Sequence, residues 1–203
     1  QAVKPWNTKG VDGVYRFLDS EEAVRSAFVD DLAATLNTIA KDAKIQVEWN
    51  PAAVRSYRLL GYENRALTKE QFRDDAADAG EVGSGQSVTA LYELELAPDQ
   101  APAASLGTVR IRYQRMDTGK VEEVETALAP ETVLRPAHAA SASFRVAACA
   151  AEFAELLRGS PHAAGGRFEA VADYLRPAAL ELSLDTRVNE LLDLITAAAA
   201  LKR

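Results

Sequence analysis

Residues 43–96 read AKIQVEWNPAAVRSYRLLGYENRALTKEQFRDDAADAGEVGSGQSVTALYELEL, and this stretch decides the fold. It opens with Ile45, Val47 and Trp49 alternating with polar residues, and it closes with a longer alternating run from Val88 to Leu96. Successive side chains of a strand point to opposite faces, so both runs predict half-buried strands. The stretch therefore predicts a β region with one face turned toward a core.

The middle of this stretch is less regular. Residues 54–62 continue an extended pattern, in which Gly61 indicates a bulge or a close backbone contact. Residues 68–75 are predicted to form one helical turn. Residues 78–86, with three glycines, are predicted to be a loop.

Two further strands follow downstream. Val109, Ile111 and Tyr113 mark the first, and residues 124–128 mark its partner. The turn between them is predicted at Asp117-Thr118-Gly119, with the glycine at the left-handed position. Opposite charges are then expected to pair across the two strands. These charged residues are Arg110, Arg112, Glu122, Glu123 and Glu125.

The ends of the chain are predicted to be mainly helical. After a linker at 130–140, Ser141 or Ser143 is placed to cap a helix that reaches residue 157. A second helix, residues 168–175, is predicted to be limited by Pro177, and Asp185 can cap a third. Near the N-terminus, residues 13–18 predict a short strand. An amphipathic helix over about 20–40 follows, with an apolar stripe of Val24, Phe28, Leu32, Leu36 and Ile39.

The sequence thus predicts an α+β fold, in which an antiparallel β-sandwich or curved sheet carries a C-terminal helical segment packed on it. Three regions are expected, at residues 1–41, 42–129 and 130–203. The stripe at 20–40 should not face water, so we expect that helix to pack on this chain's own strands or helical tail, or on a second copy.

Composition limits the possible partners. The 203 residues carry 30 acidic and 23 basic side chains, a net charge of −7, which argues against a nucleic-acid surface. No apolar run is long enough to predict a membrane-spanning helix. The single cysteine, Cys149, excludes an internal disulfide bond. Because the chain starts with Gln1 and not methionine, we expect a fragment of a longer protein.

Four acidic residues form the densest charged group: Asp74, Asp75, Asp78 and Glu81. Their oxygens on a glycine-containing loop could bind a cation weakly, but the spacing does not match a calcium-binding EF-hand loop. The favoured interpretation is a solvated turn whose carboxylates accept hydrogen bonds from backbone amides. We therefore predict no stabilisation by calcium or magnesium.

No catalytic motif stands out elsewhere. His138 and His162 lie in predicted loops, and Cys149 lies among apolar neighbours in a predicted helix, which favours a buried structural thiol. Trp49, Tyr57, Tyr62 and Tyr92 could form a binding platform, but packing is favoured for aromatic residues at strand spacing. Arg55, Arg58 and Arg65 are expected to be solvated or ion-paired. We predict no catalytic, metal or cofactor-binding residue and no enzyme activity.

Three segments carry a family resemblance. KDAKIQVEWNPAAVRSYRLLGYENRAL (Lys41–Leu67), DAGEVGSGQSVTALYELEL (Asp78–Leu96) and FRVAACAAEFAELLRGSP (Phe144–Pro161) resemble a bacterial domain of unknown function. That domain follows a von Willebrand factor type A domain in envelope-associated proteins, typically predicted lipoproteins or secreted proteins. Residues 10–41 then resemble the last strand and helix of the type A domain. Its metal-binding Asp-x-Ser-x-Ser pattern does not occur in this chain.

The resemblance implies a non-enzymatic accessory or protein-interaction module that supports adhesion or assembly at the cell envelope. The implied location is periplasmic or extracellular, with a membrane anchor upstream. Implied partners are the type A domain and a further protein. Two alternatives remain open: a carbohydrate- or peptide-binding sandwich, and a hydrolase with an unrecognised site.

Overall fold

The structure is a computed structural model that describes residues 20–25, 28–29, 37–61, 68, 70–77, 79–97, 105–133 and 139–201. Within these residues the chain forms two compact units. The first, the sheet unit, contains the four-stranded sheet described below. The second, the helical unit, contains the chain from Glu131 onward together with Leu91–Glu93 and the end of the second strand from Tyr57.

Six strands and four α-helices are assigned in the described residues. The strands are β1 (Thr38–Trp49), β2 (Val54–Leu60), β3 (Gly80–Gly83), β4 (Leu91–Leu96), β5 (Gly107–Arg115) and β6 (Val121–Leu128). The helices are α1 (Glu21–Arg25), α2 (Ala142–Arg158), α3 (Phe168–Glu181) and α4 (Thr186–Leu201). Short 3-10 turns occur at Pro130–Thr132 and Pro161–Ala163. The prediction of an α+β fold with antiparallel sheets and C-terminal helices is confirmed.

The central sheet has the order β3-β1-β5-β6, and all of its pairings are antiparallel. Its long strand β1 begins at Thr38, so the prediction that Ile39 lies in a helix is wrong. A register shift between Lys41 and Lys44 and the positive φ of 51° at Asp42 mark a bulge. The extra residue breaks the alternation of side chains, and this hid the first half of the strand.

The glycine-rich segment was also predicted incorrectly. Its residues Gly80–Gly83 do not form a loop but pair with β1 as the edge strand β3. Glycine is uncommon in strands, so this composition predicted a loop. The segment forms a strand because the long neighbouring strand β1 provides its pairing partner. Residues 70–77 form turns and not the predicted helical turn, and they bury Phe72.

The smaller sheet pairs β2 with β4. β2 ends at Leu60, directly before Gly61, which has a φ of 72°. The predicted strand from Val88 is shorter than expected, because β4 begins at Leu91 and residues 86–90 have no regular structure.

The predicted hairpin between β5 and β6 is confirmed. Gly119 has a φ of 65°, and the amide of Arg115 donates to the carbonyl of Lys120 at 2.9 Å. The predicted pair of Arg110 and Glu125 also forms, since these residues are directly opposite and their side chains are 2.8 Å apart. A turn that requires a left-handed residue therefore aligns two strands of opposite charge.

The helical unit has an apolar core in which Leu175 and Ile195 are fully buried. The hydroxyl of Ser141 caps α2 by accepting from the amide of Phe144, and Asp185 caps α4 by accepting from the amide of Arg187. The prediction that Pro177 limits the second helix is wrong, because α3 continues to Glu181. Pro177 is exposed, and burial of the following alanines, 178 and 179, holds the last turn in place.

Some predicted elements lie outside the described residues. They include the strand at 13–18, residues 26–27 and 30–36 of the helix over 20–40, Asp78, Tyr62, Arg65 and His138. Within the described residues, no helix is both long enough and apolar enough to cross a membrane.

Candidate binding surfaces

One face of the four-stranded sheet is closed by ion pairs. Arg110 lies between Glu48 on β1, at 2.7 Å, and Glu125 on β6, at 2.8 Å. Arg112, two residues further along β5 and on the same face, binds Asp75 at 2.5 Å. Each arginine is thus held by carboxylates from other segments, and the pKa of Arg110 is raised by its hydrogen bonds to Glu48 and Glu125.

The turn segment 70–77 lies over this charged face. Arg73 binds Glu123 at 2.8 Å, and this hydrogen bond lowers the pKa of the glutamate. The ammonium group of the buried Lys44 donates to the backbone carbonyl of Asp74 at 2.6 Å. These contacts join the strands to the turn segment 70–77. The charged face is therefore covered in part by a segment of the same chain.

The opposite face of the same sheet is apolar and open. Ile45, Ile111 and Val124 are directly opposite one another on β1, β5 and β6, and they form a cross-strand row. Their exposed fractions are 43%, 40% and 52%. The neighbouring row pairs Val47 with Val109. An antiparallel sheet usually exposes its polar face and buries its apolar one, and this sheet does the reverse.

A second group of exposed apolar side chains comprises Val24, Phe28 and Val29. Val24 and Phe28 of the predicted stripe are 42% and 61% exposed, and the neighbouring Val29, which is not part of the stripe, is 61% exposed. Leu32 and Leu36 lie outside the described residues. The expectation of packing within this chain is therefore not met by the described part of the stripe.

In the helical unit, a buried carboxylate joins strand and helix. The side chain of Glu155 on α2 is 4% exposed and accepts from Arg58 of β2 at 2.8 Å. Arg158 contacts the same carboxylate from the next turn of α2, and Arg58 also binds Glu93 of β4 at 2.6 Å. Two arginines thus compensate the burial of one carboxylate.

A groove of about 470 Å³ lies beside this network. Phe144, Ala148 and Cys149 of α2 form one wall, and the start of α3 forms another with Ala170, Val171 and Tyr174. The ends of β2 and β4 supply the remaining boundary. Gly166 permits the close approach of α3 to α2, since a Cβ there would lie 3.0 Å from both Glu152 and Leu156. The groove has the size and mainly apolar lining of a binding site.

Cys149, which lines this groove, is buried, as predicted, and burial raises the pKa of its thiol to about 11. A thiol that stays protonated at neutral pH is a poor nucleophile, so its contribution is packing. His162, the other described residue that was considered as a candidate reactive group, is exposed in a 3-10 turn, as predicted.

The acidic group is divided among separate partners. Asp74 accepts from the amide of Ala76, as predicted for a turn, while Asp75 binds Arg112 and Glu81 lies 3.7 Å from Lys41. Among the described residues no cluster of three histidine, cysteine, aspartate or glutamate side chains could hold a metal ion.

The aromatic and arginine groups are also dispersed. Tyr57 is exposed, whereas Trp49 and Tyr92 are half-buried on other strands, so these three do not form an exposed row. Arg55 binds Glu95 at 3.1 Å, and Arg58 binds Glu93 and Glu155. Arg55 and Arg58, the described members of this group, are therefore ion-paired as expected.

The comparisons with known proteins assign the family. The family described as "Uncharacterized protein YfbK, C-terminal" matches residues 34–201, which is most of the chain. The chain belongs to this family. It is 32% identical to the uncharacterised protein YfbK of Escherichia coli (strain K12), over 82% of this chain. The chain spans only 31% of the length of that relative, and no solved structure matches it.

The family assignment agrees with the resemblance at the level of a domain of unknown function. Its span includes the apolar sheet face and the groove, since β1, β5 and β6 and the residues that line the groove all lie within residues 34–201. The groove was missed by the sequence reasoning. The small residues on its walls, such as Ala148 and Ala170, are typical of ordinary helices in the sequence. They line a groove only because the fold brings α2, α3 and the ends of β2 and β4 together.

Proposed function

We propose that this chain is a non-enzymatic interaction module whose open apolar sheet face attaches it to the upstream part of a longer protein. The row of Ile45, Ile111 and Val124 carries the proposal. Full burial of such side chains stabilises by about 1.5–3 kcal/mol each, so an open row favours a partner. The charged face of the sheet, by contrast, is satisfied by its own ion pairs.

The proposed partner is a type A domain that precedes this region. The exposed residues Val24, Phe28 and Val29 support this choice, because they fall in the stretch that resembles the last helix of such a domain. The chain covers 31% of its relative, which leaves room for additional domains in a protein of that length. In this proposal the stripe packs in the type A domain, and the sheet face packs beside it.

We further propose that the complete protein acts at the cell envelope, in adhesion or assembly, through an upstream anchor. Binding is favoured over catalysis because three of the candidate reactive groups in the described residues are engaged. Cys149 is buried with a raised thiol pKa, and the carboxylates of Asp75 and Glu81 face cationic side chains.

The test measures association between this chain and a separately produced upstream domain. Val124→Lys places a charge in the open row, and we expect it to weaken association at least tenfold, about 1.4 kcal/mol or more. Because Val124 is more than half exposed, the stability of the isolated chain should change by less than about 0.5 kcal/mol. Unchanged affinity would exclude the sheet face as the attachment surface.

A matched control is Leu184→Lys. Leu184 is 98% exposed in the helical unit, and it is outside the proposed surface. The same charge at this position should leave association unchanged. An equal loss of affinity in both variants would show an effect of net charge and not of the sheet face.

A further inference from the structure

The groove of the helical unit has a mainly apolar lining from two helices. Phe144 and Ala148 contribute to it from α2, and Ala170, Val171 and Tyr174 contribute from α3. Because Ala148 and Ala170 are small, the space beside them can accept a side chain of a ligand. The volume of about 470 Å³ is within the range of small-molecule sites. A ligand of this groove is therefore expected to bury an apolar group in it.

Four charged residues also line the groove, two of each sign. Arg58 and Glu93 bind each other at 2.6 Å. The other two, Arg167 and Glu152, have no oppositely charged group within 4 Å among the residues that the structure describes. A ligand with a single charge would be attracted by one of these two side chains and repelled by the other. The groove therefore favours a ligand that carries one positive and one negative charge.

Arg167 and Glu152 both lie beside Gly166. A Cβ at Gly166 would lie 3.0 Å from a carboxylate oxygen of Glu152, and Arg167 is the next residue in the chain. Arg167 is also the N-cap residue of α3, and no side chain caps this end of the helix. The positive end of the helix dipole therefore adds to the attraction that Arg167 exerts on a carboxylate. The groove thus has an anion-binding and a cation-binding group next to its apolar lining.

We propose that this groove binds a free α-amino acid with an apolar side chain. Its carboxylate lies against Arg167, its ammonium group lies against Glu152, and its side chain packs beside Ala148 and Ala170. In an α-amino acid both charged groups are bonded to one carbon atom, which suits two protein side chains that lie beside the same glycine. The proposal uses a different surface from the sheet face and does not depend on attachment to a type A domain.

The test titrates the whole ¹⁵N-labelled chain with L-leucine, L-methionine and L-phenylalanine and follows the backbone amides by NMR. We expect at least one of them to bind with a Kd below about 1 mM. The amides of Gly166 and Ala170 should shift on binding, whereas the amide of Leu184, outside the groove, should not. Glycine, which has both charges but no side chain, should bind at least tenfold more weakly.

Two analogues of the amino acid that binds most tightly remove one charge each. The C-terminal amide lacks the carboxylate, and the N-acetyl form lacks the ammonium group. Each analogue should bind about tenfold more weakly than the parent amino acid, as expected for the loss of a charge-assisted contact.

Variants of the chain give the matching results. Arg167→Gln should weaken the amino acid about tenfold without weakening the amide analogue. Glu152→Gln should weaken the amino acid about tenfold without weakening the N-acetyl analogue. Ala170→Trp fills the groove and should block binding, while Ala197→Trp on the exposed side of α4 should not. Melting temperatures of all four variants identify any that fail to fold.

Three outcomes would overturn the proposal. They are no binding of the three amino acids below about 1 mM, unchanged binding in both charge variants, and equal binding by a folded Ala170→Trp variant. Equal binding of the N-acetyl analogue and the parent amino acid would show that the ligand is a simple carboxylate, and this would overturn the role of Glu152.

Discussion

At the scale of the residue, Glu155 shows how a charge can be buried at acceptable cost. Its carboxylate is removed from water, and Arg58 and Arg158 supply charge-assisted hydrogen bonds in return. The arrangement links β2 to α2 across 97 positions of sequence. Removing one member leaves a buried charge without compensation, and this is more costly than the net contribution of the pair.

Glu155→Gln should lower the free energy of unfolding by about 1–2 kcal/mol, measured by urea denaturation, because it weakens the charge-assisted hydrogen bonds from Arg58 and Arg158 while Arg58 keeps its contact with Glu93. Glu152→Gln on the same helix is the matched control, and because Glu152 is exposed its effect should stay below about 0.5 kcal/mol. Similar small effects from both variants would show that the Glu155 network does not stabilise the helical unit.

Cys149 gives a prediction about pH. Burial raises the thiol pKa from 9.0 to about 11, so in this range the unfolded state loses its proton first. Stability from this group is therefore present below the unfolded pKa and decreases as pH rises toward the folded pKa. Between about pH 8 and about pH 10.5, the advantage of the wild type over Cys149→Ala should shrink by about 2 kcal/mol. A constant difference would show that the thiol is solvated.

Sequence alone predicted the burial of Cys149 but not that of Glu155. The thiol has apolar neighbours within its own helix, and that local pattern suffices. From sequence alone, a glutamate on an amphipathic helix such as α2 is expected to be exposed. Its burial here depends on Arg58, which only the tertiary structure brings into contact.

At the scale of the element, the β5–β6 hairpin depends on one backbone conformation. A Cβ at Gly119 would meet nothing within 4 Å, so any cost of substitution comes from its φ of 65° and not from a clash. Gly119→Val should destabilise by about 1 kcal/mol or more in thermal or urea denaturation. Gly119→Asn is the control and should cost less, because asparagine tolerates this conformation. Equal effects of the two variants would contradict this explanation.

Helix α3 gives a prediction of the opposite sign. Pro177 is exposed inside the helix and removes one backbone hydrogen bond. Pro177→Ala should raise the free energy of unfolding by about 1–3 kcal/mol, with part of the gain offset by greater freedom of the unfolded chain. Pro161→Ala is the control, since a proline in the first turn of a helix loses no bond. No gain at position 177 would mean that tertiary packing already compensates the proline.

Sequence patterns predicted the elements with regular periodicity and missed those that depend on a partner. The alternation at residues 109–113 and the capping residues Ser141 and Asp185 gave correct elements. The first half of β1 was hidden by the bulge at Asp42, and β3 was hidden by its glycines. Both form because a neighbouring strand supplies the hydrogen bonds, and this neighbour cannot be inferred from local composition.

At the scale of the whole molecule, the sheet unit and the N-terminal segment each expose apolar surface. The alternating sequence predicted that the sheet face containing Ile45 is apolar. It did not predict that the opposite, charged face would be the one covered by another segment of the chain. That inversion arises because the turn segment 70–77 binds the charged face through Arg73 and Asp75. The proposed attachment to an upstream domain explains why the apolar row remains open in this chain.

The most direct test of this account is the reactivity of a cysteine in the open row. Ile111→Cys is made in a Cys149→Ala background, and the rate of maleimide labelling is compared between this chain and the chain joined to the proposed upstream domain. Leu184→Cys, in the same background, controls for general accessibility. The account predicts labelling at position 111 at least tenfold slower in the longer protein, with no change at position 184. Equal rates at position 111 in both proteins would contradict it.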